Sequence, residues 1–137
     1  MNKLNRRVEY ALMALKYFHA HPAAKLSAKE LAEKLNTSFD VIARVLQVLT
    51  QKNVLISEQG VSGGYRLNHD LQSLSLYQLV EMIEGPTQIV KCISDETACE
   101  IQNSCNIAHP MRALNEKLNE FYKTIPVSDL LLEVPHV

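Results

Sequence analysis

The sequence predicts a mainly α-helical chain carrying one small β-hairpin, and three observations support that reading. Apolar residues recur at spacings of three and four along five separate stretches, a serine-opened capping signature starts one of them, and a single glycine-rich stretch of β-forming residues interrupts the series. With 137 residues, 47% of them hydrophobic, the chain can bury one core, so one domain with a short appended element is expected. The longest apolar run is only a few residues. The opening "MNKLNRRVEYALMALKYF" contains charges and lacks a small-residue cleavage site, so neither a membrane span nor an export signal is expected, and the expected location is cytoplasmic.

Taken in order, Val8, Ala11, Leu12 and Leu15 form one stripe, which predicts a helix from about residue 5 to 20, ended by "HAHPAA". Ser27, with Glu30 three residues later, opens a second helix whose stripe is Ala28, Leu31, Ala32 and Leu35. After a short "NTS" break, "FDVIARVLQVLTQKN" gives a third helix burying Ile42, Val45, Leu46 and Leu49. Two helices joined by a tight polar turn make a helix-turn-helix. "VLISEQGVSGGYRL" then reads as a hairpin around Gly60, Gly63 and Gly64, and the order helix, turn, helix, hairpin is that of a winged helix-turn-helix. Ser75 opens a helix with Leu76, Leu79, Val80 and Ile83 on one face, stopped by Gly85 and Pro86. Finally Ile107, Met111, Leu114, Leu118, Phe121 and Ile125 alternate spacings of four and three, a seam suited to a partner helix and hence to a homodimer. The expected division is residues 1–86 as the winged unit, with its first helix also at the dimer interface, 87–109 as a cysteine-containing loop, and 110–137 as dimerisation helix and tail.

The formal charge of −1 conceals an asymmetry. Residues 1–69 carry ten Lys/Arg against five Asp/Glu, whereas residues 70–137 carry four against ten. A basic half can face a polyanion. On the third helix the face opposite the buried stripe presents Asp40, Arg44, Gln47 and Gln51, groups able to reach base edges in a major groove. A solvated helix face would look similar, but this stripe lies on the second helix of the pair, in the basic half, before a glycine-rich hairpin. Thr37 and Ser38, at the start of the same helix, can bind phosphate through a hydroxyl or simply cap the helix. The expected partner is therefore double-stranded DNA with a palindromic site, bound by a two-fold dimer.

All three cysteines fall in "KCISDETACEIQNSCNIAH", with six residues between Cys92 and Cys99 and five between Cys99 and Cys105. An odd number excludes a complete set of internal disulfides and favours a metal or redox site. Thiolates are the main ligands of iron–sulfur clusters, and three of them leave one iron position open for Glu9 or His109. Zinc accepts a three-cysteine, one-histidine set, but structural zinc sites draw ligands from closer pairs. A reversible disulfide between two of the thiols is the cluster-free alternative. An enzyme with a cysteine nucleophile would need a positioned base and an oxyanion site, for which the segment supplies only His109. A protein-only adaptor is separated from a regulator by a DNA-binding assay.

The stretches "VEYALMAL", "LSAKELAEKL", "GVSGGYRL", "VEMIEGP" and the three-cysteine segment together resemble the IscR and NsrR type of regulator, the Rrf2 family, over about residues 3–125. The resemblance implies a homodimeric, non-enzymatic transcription factor with a winged helix domain and a long crossing dimer helix. It also implies a cluster, 2Fe-2S or 4Fe-4S, in those members that hold one through three cysteines; other members work without one. Family members place either a histidine three residues after the last cysteine or an acidic residue of the first helix at the fourth position. Here His109 follows Cys105 by four residues, and Glu9 matches the acidic position. In the wing, Gln59, Gly60, Ser62 and Tyr65 are the implied DNA contacts, with Gln59-Gly60 standing where the family often has Arg-Gly.

Overall fold

In the computed structural model, which describes residues 4–89, 99–101 and 103–132, the chain runs α1 (Arg6–Ala20), α2 (Ala28–Leu35), α3 (Phe39–Gln51), β1 (Leu55–Glu58), β2 (Gly64–Leu67), α4 (Leu76–Glu84), α5 (Ala108–Lys123) and the short α6 (Val127–Leu130). Cys92 lies outside the described residues. The elements form a mostly helical winged helix-turn-helix with a two-stranded antiparallel hairpin, as the sequence predicts. Among the described residues, no helix is long and apolar enough to cross a membrane.

Three of the helices, α1, α2 and α4, begin where the sequence supplies a side-chain cap. The Asn5 side chain accepts a hydrogen bond from the Arg7 N–H at 2.9 Å and starts α1. Ser27 and Glu30 form a reciprocal capping box at α2, as do Ser75 and Gln78 at α4. α2 ends at Asn36, whose left-handed backbone (φ 52) turns the chain, and the Thr37 N–H returns to the Ala32 carbonyl at 3.0 Å. That single left-handed residue makes the turn between α2 and α3 tight.

The core forms where α3 packs against α1 and α2. All four predicted α3 residues, Ile42, Val45, Leu46 and Leu49, are buried, as are Leu31 and Ala32 of α2. On α1 the buried stripe is Val8, Ala11, Ala14, Leu15 and Phe18, with Leu12 only half-buried at its edge.

The hairpin pairs Leu55 with Leu67 through Glu58 with Gly64. It is seated by a further bridge, in which the Leu26 N–H donates to the Tyr65 carbonyl at 3.0 Å and the Tyr65 N–H to the Leu26 carbonyl at 2.7 Å. Gly64 permits this approach. Its φ is +150, and a Cβ there would stand 2.7 Å from the Leu26 carbonyl carbon.

After α5 the chain turns back onto the winged unit. The Leu76 N–H donates to the Ile125 carbonyl at 2.8 Å, the Val127 N–H to Leu74 at 2.7 Å, and the Ser128 N–H to Leu71 at 3.1 Å. Val127 and Leu131 are buried against Leu71 and Leu74 in the same core. The segment expected to be a simple tail is therefore a docked clasp as far as Leu131. Beside it, Lys123 Nζ sits 4.8 Å over the Tyr77 ring and 3.1 Å from Glu120, which raises the lysine pKa chiefly through that hydrogen bond.

Candidate nucleic-acid interface and cysteine site

Because Ile42, Val45, Leu46 and Leu49 point inward, α3 presents Asp40, Arg44, Gln47 and Gln51 to solvent, and all four are exposed. At the start of this helix Ser38 occupies the cap position, but its side chain makes no capping hydrogen bond, so capping does not account for the residue. Thr37 Oγ1 is buried without a hydrogen-bond partner. A hydroxyl at each of two successive positions before α3 is thus left unused by the helix. Phe39, 52% exposed at the first helical position, was not foreseen. Its signal in the sequence is an aromatic residue directly after the serine that opens the reading helix, and such a ring can meet a thymine methyl.

The wing loop holds Gln59, Gly60 and Ser62, all exposed, and at its tip Val61 is fully exposed. Tyr65 behaves differently, since it is half-buried and its ring packs on the core. Where β1 runs into the wing loop, Glu58 accepts from Lys25 Nζ at 2.9 Å and from Arg66 Nε at 2.8 Å. These two hydrogen bonds, the lysine's first, hold the Glu58 carboxyl at about 2, well below the usual carboxylate range. Two cations of the basic half are therefore engaged by one carboxylate within the chain, which composition alone could not reveal.

Cys99 and Cys105 are half-buried free thiols on the stretch that leads into α5, and His109 is exposed in the first turn of that helix. Glu9 lies in the first turn of α1, in a cleft of about 430 Å³ shared with Leu4, Asn5, Arg6 and Glu84. It pairs with Arg6 at 3.3 Å. Among the described residues no three His, Cys, Asp or Glu side chains stand together as a metal set, so neither Glu9 nor His109 is brought to the two cysteines. The donor chemistry nonetheless suits an iron–sulfur cluster: two unpaired, accessible thiols precede α5, and a carboxylate or an imidazole is available from a helix first turn.

A reading helix, a seated wing and a long helix carrying apolar residues outward define a winged-helix DNA-binding protein. Comparison with known proteins agrees. The profile of Rrf2, described as an iron-dependent transcriptional regulator, matches residues 4–133. The HTH-type transcriptional regulator NsrR of Bacillus subtilis is 29% identical over 118 residues, covering 85% of this chain and 79% of that protein. Among solved structures, CymR, the global cysteine regulator of B. subtilis, superposes with a TM-score of 0.70 at 20% identity, covering 96% of this chain and 97% of that one. IscR of T. potens superposes with a TM-score of 0.66 at 18% identity, covering 95% and 86%. The chain belongs to the Rrf2 family and is a DNA-binding transcriptional regulator rather than an enzyme.

Proposed function

We propose that this regulator is a homodimer whose affinity for a palindromic duplex operator is set by an iron–sulfur cluster on Cys92, Cys99 and Cys105, with Glu9 or His109 completing the site. The observation that carries the reading is placement: Cys99 and Cys105 are free thiols on the stretch entering α5, and α5 leaves Ile107, Leu114 and Phe121 exposed along its seam. A cluster bound there would supply a redox-sensitive link between the thiol segment and the base of the dimer helix. The winged unit (1–86), cysteine loop (87–109) and dimer helix with its clasp (110–137) act as reader, sensor and coupler. Asp40, Arg44, Gln47 and Gln51 read base edges, Ser38 holds phosphate, the Thr37 hydroxyl being buried out of its reach, and Gln59, Gly60 and Ser62 form the wing contact. Tyr65 serves the wing by seating it.

A shift of about one or two kcal/mol in the free-energy difference between two arrangements of α5 and the reading helix alters operator affinity about five- to thirtyfold. The test is anaerobic purification with iron and acid-labile sulfide quantified and a Mössbauer spectrum recorded, for the wild type and for Glu9→Ala and His109→Ala, alongside operator binding across a salt series. Iron and sulfide in the wild type, with one variant altering the spectrum, identify the fourth ligand. Protein free of both after reconstitution rules the cluster out. The cluster-free alternative, a disulfide switch between two of the cysteines, is favoured by the unpaired state of Cys99 and Cys105 and by the likeness to the cysteine regulator CymR. It predicts reversible, oxidant-dependent DNA binding in iron-free protein.

A further inference from the structure

Among the described residues, Asn115 is the one polar side chain that the core buries, at 6% exposure in the middle of α5. A buried amide is costly unless it is bonded, and asparagine is a poor helix former, so an apolar residue would serve the packing of α5 on α4 better. Its Oδ1 accepts a hydrogen bond from the backbone N–H of Ile89 at 3.1 Å. Ile89 and Asn115 are 26 residues apart in sequence, and the loop that this bond closes contains Cys92, Cys99, Cys105 and His109. The bond thus joins the chain entering the cysteine segment to the helix into which the segment leads.

We propose that Asn115 is a positioning residue for the cysteine segment, acting through Ile89. The proposal rests on the cluster reading only for what the thiols hold. A loop pinned at its base brings its thiols together at less entropic cost than one free to spread. Because the acceptor sits on α5, any movement of the thiols is passed directly to the dimer helix.

The test uses full-length protein and three variants. Asn115→Leu fills the space and removes the acceptor, Asn115→Ala removes both, and Asn115→Asp keeps an acceptor in place. Thermal midpoint and dimer state are recorded for each. With anaerobically reconstituted cluster, Asn115→Leu and Asn115→Ala should release iron to a chelator roughly tenfold faster than wild type, the scale on which partners of metal ligands act. Asn115→Asp should stay near wild type, and Asn115→Leu should keep its thermal midpoint. An Asn115→Leu protein that holds iron as long as wild type overturns the positioning role and leaves the cluster reading standing. If wild type takes up neither iron nor sulfide, the cluster reading fails, and hydrogen exchange of the peptide spanning Ile89 decides the positioning role. Exchange about fivefold or more faster in Asn115→Leu than in wild type and Asn115→Asp supports it, and equal exchange overturns it.

Discussion

Glu58 lies 2.9 Å from Lys25, so the first strand of the wing is tied to the turn that precedes α2. Arg66, on the second strand, meets the same carboxylate at 2.8 Å. The hairpin is thereby braced by one acidic residue at its loop end.

Acid should loosen this brace. The Glu58 carboxyl is held at about 2 against an ordinary value of 4.5. A depressed carboxylate stabilises the fold fully above its unfolded value and loses that contribution as pH falls from 4.5 toward 2. Thermal midpoints of wild type and Glu58→Gln should therefore differ at pH 7, with the variant lower, and converge as pH falls through that window. The groups are exposed, so the difference should be small and should shrink further in high salt.

Gly64→Ala should be among the most damaging changes to the wing. The added methyl would stand 2.7 Å from the Leu26 carbonyl carbon at a backbone angle that favours glycine. We expect a loss of about 2 kcal/mol or more in a urea titration. Gly60→Ala, with open space around it, should cost less.

Leu114→Glu and Phe121→Glu place charge on the outward seam of α5, where the residues are 43% and 59% exposed. The variant chains should fold, because the core does not use these positions, but sedimentation should show monomers in place of the dimer proposed for wild type. Operator affinity should fall with dimerisation, since two half-sites can no longer be held together.

Arg44→Ala and Gln47→Ala should each weaken binding to the specific site by about 1–3 kcal/mol in fluorescence anisotropy. Affinity for unrelated duplex should change little if the side chain reads a base. A uniform loss across sequences, with the salt slope reduced by about one, would instead mark Arg44 as a phosphate contact.

The helical scaffold was legible because its signals are local. The stripe Ile42, Val45, Leu46 and Leu49 and the Ser27–Glu30 box need only a few neighbouring residues to be recognised, and all are found as expected. What escaped depends on contacts distant in sequence. Nothing near Glu58 reveals that Lys25 and Arg66 will both meet it, so the sequence does not tell which cations of residues 1–69 are engaged within the chain. Asn115 looks like one more polar residue on an amphipathic helix until Ile89 is placed against it. The docking of Val127 has no periodic signal, because α6 spans a single turn. Ser38 carried a capping expectation from its type and position, yet its hydroxyl is not used by the helix.

The clasp of residues 125–131 on residues 71–76 also bears on synthesis. Leu71 and Leu74 find their cover, and Leu76 the acceptor for its N–H, only on residues that leave the ribosome after the whole of α5. The reading unit is therefore completed last, although its helices are made first. A product interrupted before Val127 would display α3 with an unfinished core beneath α4, which makes it a substrate for proteolysis rather than a competitor at the operator. In this way the fold makes completion of the winged unit depend on residues that follow α5.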